Sequence, residues 1–460
     1  MIKIAKINLD VKNLPELDKK MLPLAPFFHH IHKKGQEDYA VAIERLGGLV
    51  SVYRTKLLSG ESSFFANCLY VERLVKFLLW AKGGYRVTLC GDSKVSQYVK
   101  KAYQPGGTRE FDAEFMKKIY EHPFEVVCLD YSQCPEENEA SKPIGGNFDG
   151  CRIGFDAGGS DRKVSAVVGG NSIFSEEVIW HPKENDDPTY HFNGIVESFK
   201  TAASKMPKVD AIGVSSAGIY LENKTRAASL FIKVPEKQFD ESVKDIYVRA
   251  AAEIGQGIPL EVANDGDVTA LAGAMGIEDG AVLGIAMGTS QAGGYIDTNG
   301  KVTGWLNELA FAPVDASPDA MVDEWSGDIG CGVKYFSQDA VIKLAPAAGI
   351  ELKGSSPAEK LVEVQDLMKK GNECAAAIYR SIGVYLGHAL AQYAMFYDIR
   401  HVLVLGRVLS GAGGDILLGE ANRVLADEYP EYGFVAKTPD EKARRVGQSV
   451  AAASLPAISK

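Results

Sequence analysis

Four times in this 460-residue chain an apolar run ends in a cluster of glycines and hydroxyls, at 156–160, 215–218, 288–294 and 406–414. The first cluster lies in "GFDAGGSDRKVSAVV", residues 154–168, which begins and ends like buried strand. Its middle holds an acid, two glycines, a hydroxyl and three charges, none of which fills a core. Taken singly, each cluster is ordinary turn chemistry. Recurring behind strands of a chain that alternates strand and helix, they point to an open α/β sheet. Such sheets bind ligands beyond their strand ends, where glycine lets backbone N–H groups approach phosphate oxygens.

The alternation is readable downstream of residue 150. Apolar runs 151–156, 163–168 and 173–179 predict three consecutive strands joined by tight turns. A helix near 191–205 leads to "VDAIGVSSAG", and a second, 239–255, leads to "PLEVANDGD". "AVLGIAMGTSQAGGYID" is again strand, turn and strand. Helices 358–370 and 373–397 precede "HVLVLGRVLSGAGGD", and a terminal helix is expected over 440–453. Three strands, helix, strand, helix, strand, followed by a similar set, describe two related α/β domains.

Upstream, "YSQCPEENEASKPIGGNFDG" at 131–150 has linker composition and marks a domain boundary. The segment before it predicts a hairpin across Gly47-Gly48, a helix 67–83, the strand "YRVTLCGD", helices near 93–103 and 111–121, and the strand "FEVVCLDY". That order parallels 151–264, so a degenerate second copy of the same half-domain is one expectation for residues 1–148. Glu44 would then stand where Asp156 stands, with Leu49 in place of a phosphate-binding hydroxyl. An unrelated α/β module with a common strand order is the other. The domains expected are 1–148, 149–268 with 440–460, and 269–439.

Composition narrows the class. A net charge of −10 argues against nucleic acid, because phosphate binding needs a basic face. Residues 1–150 carry 21 Lys and Arg against 19 Asp and Glu, so no basic arm is hidden there. The seven cysteines are scattered without a C-x-x-C pair, which indicates neither a zinc knuckle nor a disulfide framework. The opening "MIKIAKINLDVKNLPE" lacks the apolar stretch of a signal peptide, and the greasiest run, 382–397, contains His388 and Gln392. A cytoplasmic location without membrane attachment is expected. "FFHHIH" holds His29, His30 and His32, the last two of them two apart on an expected strand, with no carboxylate or thiol to complete a metal site.

"DAGGSDRK", "SSAG", "ANDGD", "GTSQAGG" and "GRVLSGAGGD", in that order, resemble the motifs of the ROK sugar kinases. These belong with actin, hexokinase and the heat-shock chaperone ATPases. The resemblance covers roughly 151–460. It implies two actin-like, ribonuclease H-like lobes with ATP and sugar in the cleft between them. Asp156 would face Mg²⁺, through water. Gly158, Gly159 and Ser160 would form the first phosphate hairpin, with Lys163 adding charge to the transferred phosphate. The inserted Asp161-Arg162 lengthens that turn.

Asp265 matches the family's catalytic base. A sugar hydroxyl is a poor nucleophile near neutral pH and needs a positioned carboxylate to accept its proton. Asn264 would hydrogen-bond neighbouring hydroxyls, and Gly218 matches a glycine beside the sugar. Asn-Asp also suits the N-cap of a helix 268–275; Asp267 is the more natural cap, which leaves Asp265 free. Gly288, Thr289, Gly293 and Gly294 correspond to the second phosphate hairpin, although Ser290 and Ala292 replace frequent glycines. Gly406, Gly413 and Gly414 would pack on adenosine, with Arg407 at a usual glycine position.

"GWLNELAFAP" departs most. Glu308 is retained in register and should contact sugar, whereas Phe311 replaces the histidine that usually binds sugar and, in many members, zinc. With Cys331 alone in the equivalent loop, no zinc is expected. Trp305 and Trp325 read as core tryptophans ahead of aromatic platforms for a sugar face. The resemblance thus implies an ATP- and Mg²⁺-dependent kinase acting on a sugar or sugar-like hydroxyl, with a homodimer among its arrangements. The alternative is a non-catalytic, sugar-binding ROK regulator lacking a DNA-binding domain. An actin-like activator of an iron–sulfur protein would need a cysteine pair near 331.

Overall fold

The computed structural model describes residues 1–139, 144–440 and 447–458. Two compact units form: Met1–Ala140 with Ile285–Gly293 and Trp305–Thr438, and Ser141–Gly284 with Gly294–Gly304 and Pro439–Lys460. Residues 1–139 therefore share a unit with most of the segment expected as a separate C-terminal lobe.

In the first unit α1 (Leu24–Lys34) precedes the hairpin β1 (Glu37–Glu44) and β2 (Val50–Leu57). Helix α2 (Phe64–Lys82), strand β3 (Arg86–Cys90), helices α3 (Ser93–Ala102) and α4 (Glu110–Tyr120), and strand β4 (Glu125–Leu129) follow. "FFHHIH" lies on α1 and is not a strand: Leu24, Phe27, Phe28 and Ile31 recur at helical spacing and are all buried. Helix α2 is apolar nearly all round and buried accordingly, with Tyr70, Leu74, Phe77 and Trp80 fully covered. Its register with later chain is explicit. Asn307 N–H donates to Ala81 O at 3.0 Å, Glu308 N–H donates to Trp80 O at 2.9 Å, and Phe77 stacks on Phe396 at 4.2 Å.

In the second unit β5 (Cys151–Ala157), β6 (Asp161–Val168) and β7 (Asn171–Ile179) form an antiparallel meander. Helix α5 (Pro188–Ala203) leads to β8 (Ala211–Ser216), and β9 (Leu260–Asn264) runs into α6 (Asp265–Ile277). The sheet order is β9-β8-β5-β6-β7, with β5, β8 and β9 parallel. Ile153, Phe155, Val214, Phe199 and Tyr247 fill the core beside it. The terminal helix Gln448–Ala453 packs so closely on this sheet that a Cβ at Gly154 or Gly213 would enter the backbone of Ser449 or Ala452. The earlier part of the helix expected over 440–453 falls at 441–446, outside the described residues.

The helix expected over 239–255 is broken. Lys244 N–H reaches back five residues to Phe239 O, making a π turn, and Lys244 O accepts from Thr225 N–H; a regular helix resumes only at Ile246–Ala252.

The expected copy at 1–148 matches the second unit in strand order but not in direction. The N-terminal sheet runs β2-β1-β3-β4, as β6-β5-β8-β9 does, yet β1 and β3 are antiparallel where β5 and β8 are parallel. A parallel partner requires a crossover, and the chain between β1 and β3 returns instead through β2 and α2. The duplication idea is corrected on that ground.

Later elements include the helices Gln338–Leu344 and Pro357–Lys369, α7 (Glu373–Tyr393), α8 (Ala412–Glu428) and a sheet of β10 (Val282–Met287), β11 (Gln291–Ile296), β12 (His401–Leu405) and β13 (Ala436–Lys437), ordered β11-β10-β12-β13. No helix among the described residues is long and apolar enough to cross a membrane.

Candidate functional site

Asp156 sits near the end of β5, flanked in register by Lys163 on β6 and Ser215 on β8. The Ser215 hydroxyl donates to Asp156 Oδ1 at 2.8 Å. Burial pushes the carboxyl up to about 6, and the charge of Asp265 adds to that, while Ser215 and Lys163 work against it. The hairpin beyond Asp156 is pinned by the Trp180 indole N–H, which donates to Gly158 O at 2.8 Å. Gly159 and Ser160 are exposed at its tip. The Lys163 ammonium lies 3.7 Å from both Asp161 and Glu177, so its charge is shared with two carboxylates before any ligand arrives.

Asp265 is the first residue of α6 and half-buried. Burial raises its carboxyl above the ordinary range, opposed by the backbone N–H groups at the helix start and by Lys183. The N-cap is Asn264, not Asp267. Asn264 Oδ1 accepts from Gly266 N–H at 2.7 Å, while Asp267 lies one turn in and accepts from Tyr295 N–H at 3.1 Å. Asn264 Nδ2 donates to Gly218 O at 2.7 Å, so this amide joins two candidate substrate residues and spends part of its bonding capacity on the fold. Asn264 holds the N-cap position, while the Asp265 carboxyl meets the N–H groups of Gly266 and of its own residue.

Lys183 is the residue that sequence reasoning missed. It lies in the turn Pro182–Glu184 after β7, and its Nζ is 3.3 Å from where a Cβ on Gly159 would stand. Its charge also reaches Asp265. The signal was present as the cation of "WHPKEN", but its nearness to the first hairpin depends on where β7 ends.

The remaining candidates lie in the first unit, apart from Gly294. A Cβ on Gly288 would meet only Ser290 O, at 3.8 Å; Gly288 N–H donates to Ser290 O at 3.0 Å and Gly288 O accepts from Gln338 N–H at 2.9 Å, while Thr289 is exposed. Several other glycines have a packing reason. A Cβ would meet Asn307 O at Gly293, the backbone of Met287 at Gly406, the Tyr379 ring at Gly413 and the backbone of Leu409 at Gly414. At Gly294, in the second unit, it would meet the backbone of Gly266. Glu308 is half-buried and caps the turn Leu309–Phe311.

Phe311 is packed between Trp80 and Trp325, with ring centroids at 4.5 and 4.8 Å. Its place is aromatic packing and not a ligand position. Trp325 is 53% exposed, not a core residue, and Trp305 is half-buried. Beneath this aromatic cluster, Asp328 accepts from Lys76 at 3.0 Å and from Arg109 at 2.5 Å, cations that hold its carboxyl well below the usual carboxylate range. Burial raises the nearby Cys331 thiol to about 12, which keeps it protonated. Among the described residues no group of three His, Cys, Asp or Glu is placed to hold a metal. His29 bonds Tyr432 at 2.9 Å and lines a separate cavity of 840 Å³ with His30 and His32.

No protein-family model and no curated protein matches the sequence. Solved structures do. The ROK hexokinase from Thermus thermophilus aligns over 66% of this chain and 97% of its own at 19% identity, with a TM-score of 0.52. A protein described as a putative N-acetylmannosamine kinase from Listeria monocytogenes aligns over 65% and 97% at 14% identity, with a TM-score of 0.48. A ROK transcriptional regulator aligns over 66% and 78% at 18% identity, with a TM-score of 0.49. The assignment rests on the Thermus enzyme: the chain has the two-lobed α/β fold of the ROK hexokinases.

Proposed function

We propose that the protein is an ATP- and Mg²⁺-dependent kinase that phosphorylates a hydroxyl of a sugar or sugar-like molecule. The observation carrying this reading is the pair of carboxylates in the second unit. Asp265 stands at a helix start next to its Asn264 cap, and its charge is felt by Asp156 at the end of the neighbouring parallel strands. Two acids whose surroundings differ can divide two tasks. Asp265 takes the proton of the attacking hydroxyl; the oxygen bonds to the γ-phosphorus, and the bond to the β-phosphate oxygen breaks, releasing ADP.

Asp156 fits Mg²⁺ by donor chemistry. It offers one buried carboxylate whose Oδ1 is oriented by Ser215, and Mg²⁺ commonly takes one or two carboxylates while keeping waters and phosphate oxygens. When bound, the ion would neutralise phosphate charge. Gly158, Gly159, Ser160, Gly288 and Thr289 remain the candidates for backbone and hydroxyl contacts to phosphate, with Lys163 and Lys183 as cations. Gly293, Gly294, Gly406, Gly413 and Gly414 are assigned to shaping those loops.

The second reading, a sugar-binding protein without turnover, is favoured by one observation: Phe311 is committed to Trp80 and Trp325 and supplies no imidazole. Incubation with ATP, Mg²⁺ and a panel of hexoses, amino sugars and polyols, read as ADP release, separates the two. Sugar-dependent ADP release supports the kinase; saturable sugar binding without it supports the regulator.

A further inference from the structure

The first unit contains a buried ammonium with no carboxylate of the described residues on it. Lys82 closes α2 and is 7% exposed. Its Nζ donates one long hydrogen bond, 3.4 Å to Phe396 O, and lies over the Trp305 ring with Tyr397 at 5.2 Å. An ammonium carries three donors, so two have no oxygen partner among the described residues. Glu139, close by, is already engaged. It pairs with Arg45 at 2.5 Å, accepts from the Ser51 hydroxyl, and accepts from the Trp305 indole N–H at 3.2 Å. Glu137 is exposed to solvent. Burial accordingly pushes Lys82 well below the ordinary lysine range, against the pull of Glu139 and Glu137.

Leaving a cation buried and uncompensated is costly, and the described residues leave space beside it. A cavity of 180 Å³ lies there, lined by Ser51, Tyr53, Lys82, Glu139, Trp305 and Phe396 among others. At about 30 Å³ per water, that is room for on the order of six non-hydrogen atoms. We propose that this cavity binds a small monocarboxylate, whose oxygens take the two unpartnered Lys82 hydrogens and whose carbon body lies against Trp305 and Phe396. One spare cation matches one negative charge. A phosphate dianion would leave excess charge beside Glu139, a cation would meet Lys82, and a neutral polyol would leave the ammonium uncompensated. The residues of this site belong to the first unit, and Asp156 and Asp265 belong to the second.

Lactate and lactamide, equal in size and differing in charge, are the probes. Tryptophan fluorescence and thermal unfolding are read on the full chain with each, at matched ionic strength, up to about 10 mM, where a millimolar site saturates. Lactate is expected to change fluorescence saturably and to raise the Tm, with lactamide at least about tenfold weaker, as loss of a charge-assisted hydrogen bond implies. Lys82→Met, of similar shape, is expected to fold and to abolish the lactate response. Equal responses to the two probes, no saturable response to lactate, or an unchanged response in Lys82→Met would each overturn the proposal. The probe comparison uses the wild-type chain and decides the matter even if the variant does not fold.

Discussion

At Asp265, replacement by Asn keeps the size of the side chain and removes its ability to accept a proton. Under the proposed chemistry, Asp265→Asn should lower turnover by about 10²-fold or more, with nucleotide and sugar affinity nearly unchanged. Single-turnover assays alongside calorimetry check this; an active variant contradicts the assignment. Asp156 makes a pH prediction. Its folded value of about 6 exceeds the ordinary 3.8, so the folded protein holds this proton more tightly than the unfolded chain. That contribution to stability is largest in acid and is lost as pH rises from about 4 through 6. Mg²⁺ requires the ionised form, so the Mg²⁺ concentration for half-maximal activity should rise by about tenfold per unit below about pH 6. A Mg²⁺ requirement independent of pH between about 5 and 7 would remove Asp156 from the role. Both aspartates were legible in the sequence, because each ends an apolar run and stands beside small residues. Lys183 was not, because its nearness to Gly159 is set by the length of a meander and not by any local pattern.

At the scale of elements, glycine is ambiguous until its surroundings are known. In "MGTSQAGGYID" the two consecutive glycines look the more functional, yet a Cβ at Gly293 collides with Asn307 O while one at Gly288 meets only Ser290 O, at an ordinary 3.8 Å. Gly288→Val should therefore weaken nucleotide binding with little loss of Tm, and Gly293→Val should lower the Tm. Measuring both quantities for both variants checks the distinction; the reverse pattern would place the phosphate contact at Gly293. The strand–helix alternation after residue 150 was readable because period and length agree there. The π turn at 239–243 was not, since it arises from a carbonyl drawn to Thr225, a tertiary event. "FFHHIH" was misread for a different reason. The pair His30 and His32 has a strand-like spacing, while the apolar residues around it follow helical spacing.

At the scale of the molecule, residues 1–139 are built into their unit and are not an appendage. Leu24 N–H donates to Val314 O at 3.1 Å, His388 meets Asn13 O at 2.8 Å, and Lys76 meets Asp328 at 3.0 Å. A chain lacking 1–139 would strip Phe311 of Trp80, Phe396 of Phe77 and Asp328 of Lys76 and Arg109, and is expected to be insoluble or to bind a hydrophobic dye as an expanded state does. A soluble truncation with a cooperative thermal transition would show that the later segment folds alone. Linker composition at 131–150 suggested a boundary in the chain. It carried no information about the long-range pairing of α2 with 305–311.

The closeness of the terminal helix to Gly154 and Gly213 has a consequence for synthesis. The first strand of that sheet leaves the ribosome nearly 300 residues before the helix that covers it. At about 5–20 residues per second the uncovered face waits on the order of 15–60 seconds. For that interval the nascent sheet presents the bare backbone of Gly154 and Gly213, which the helix Gln448–Ala453 later covers, and chaperones have that long to occupy it.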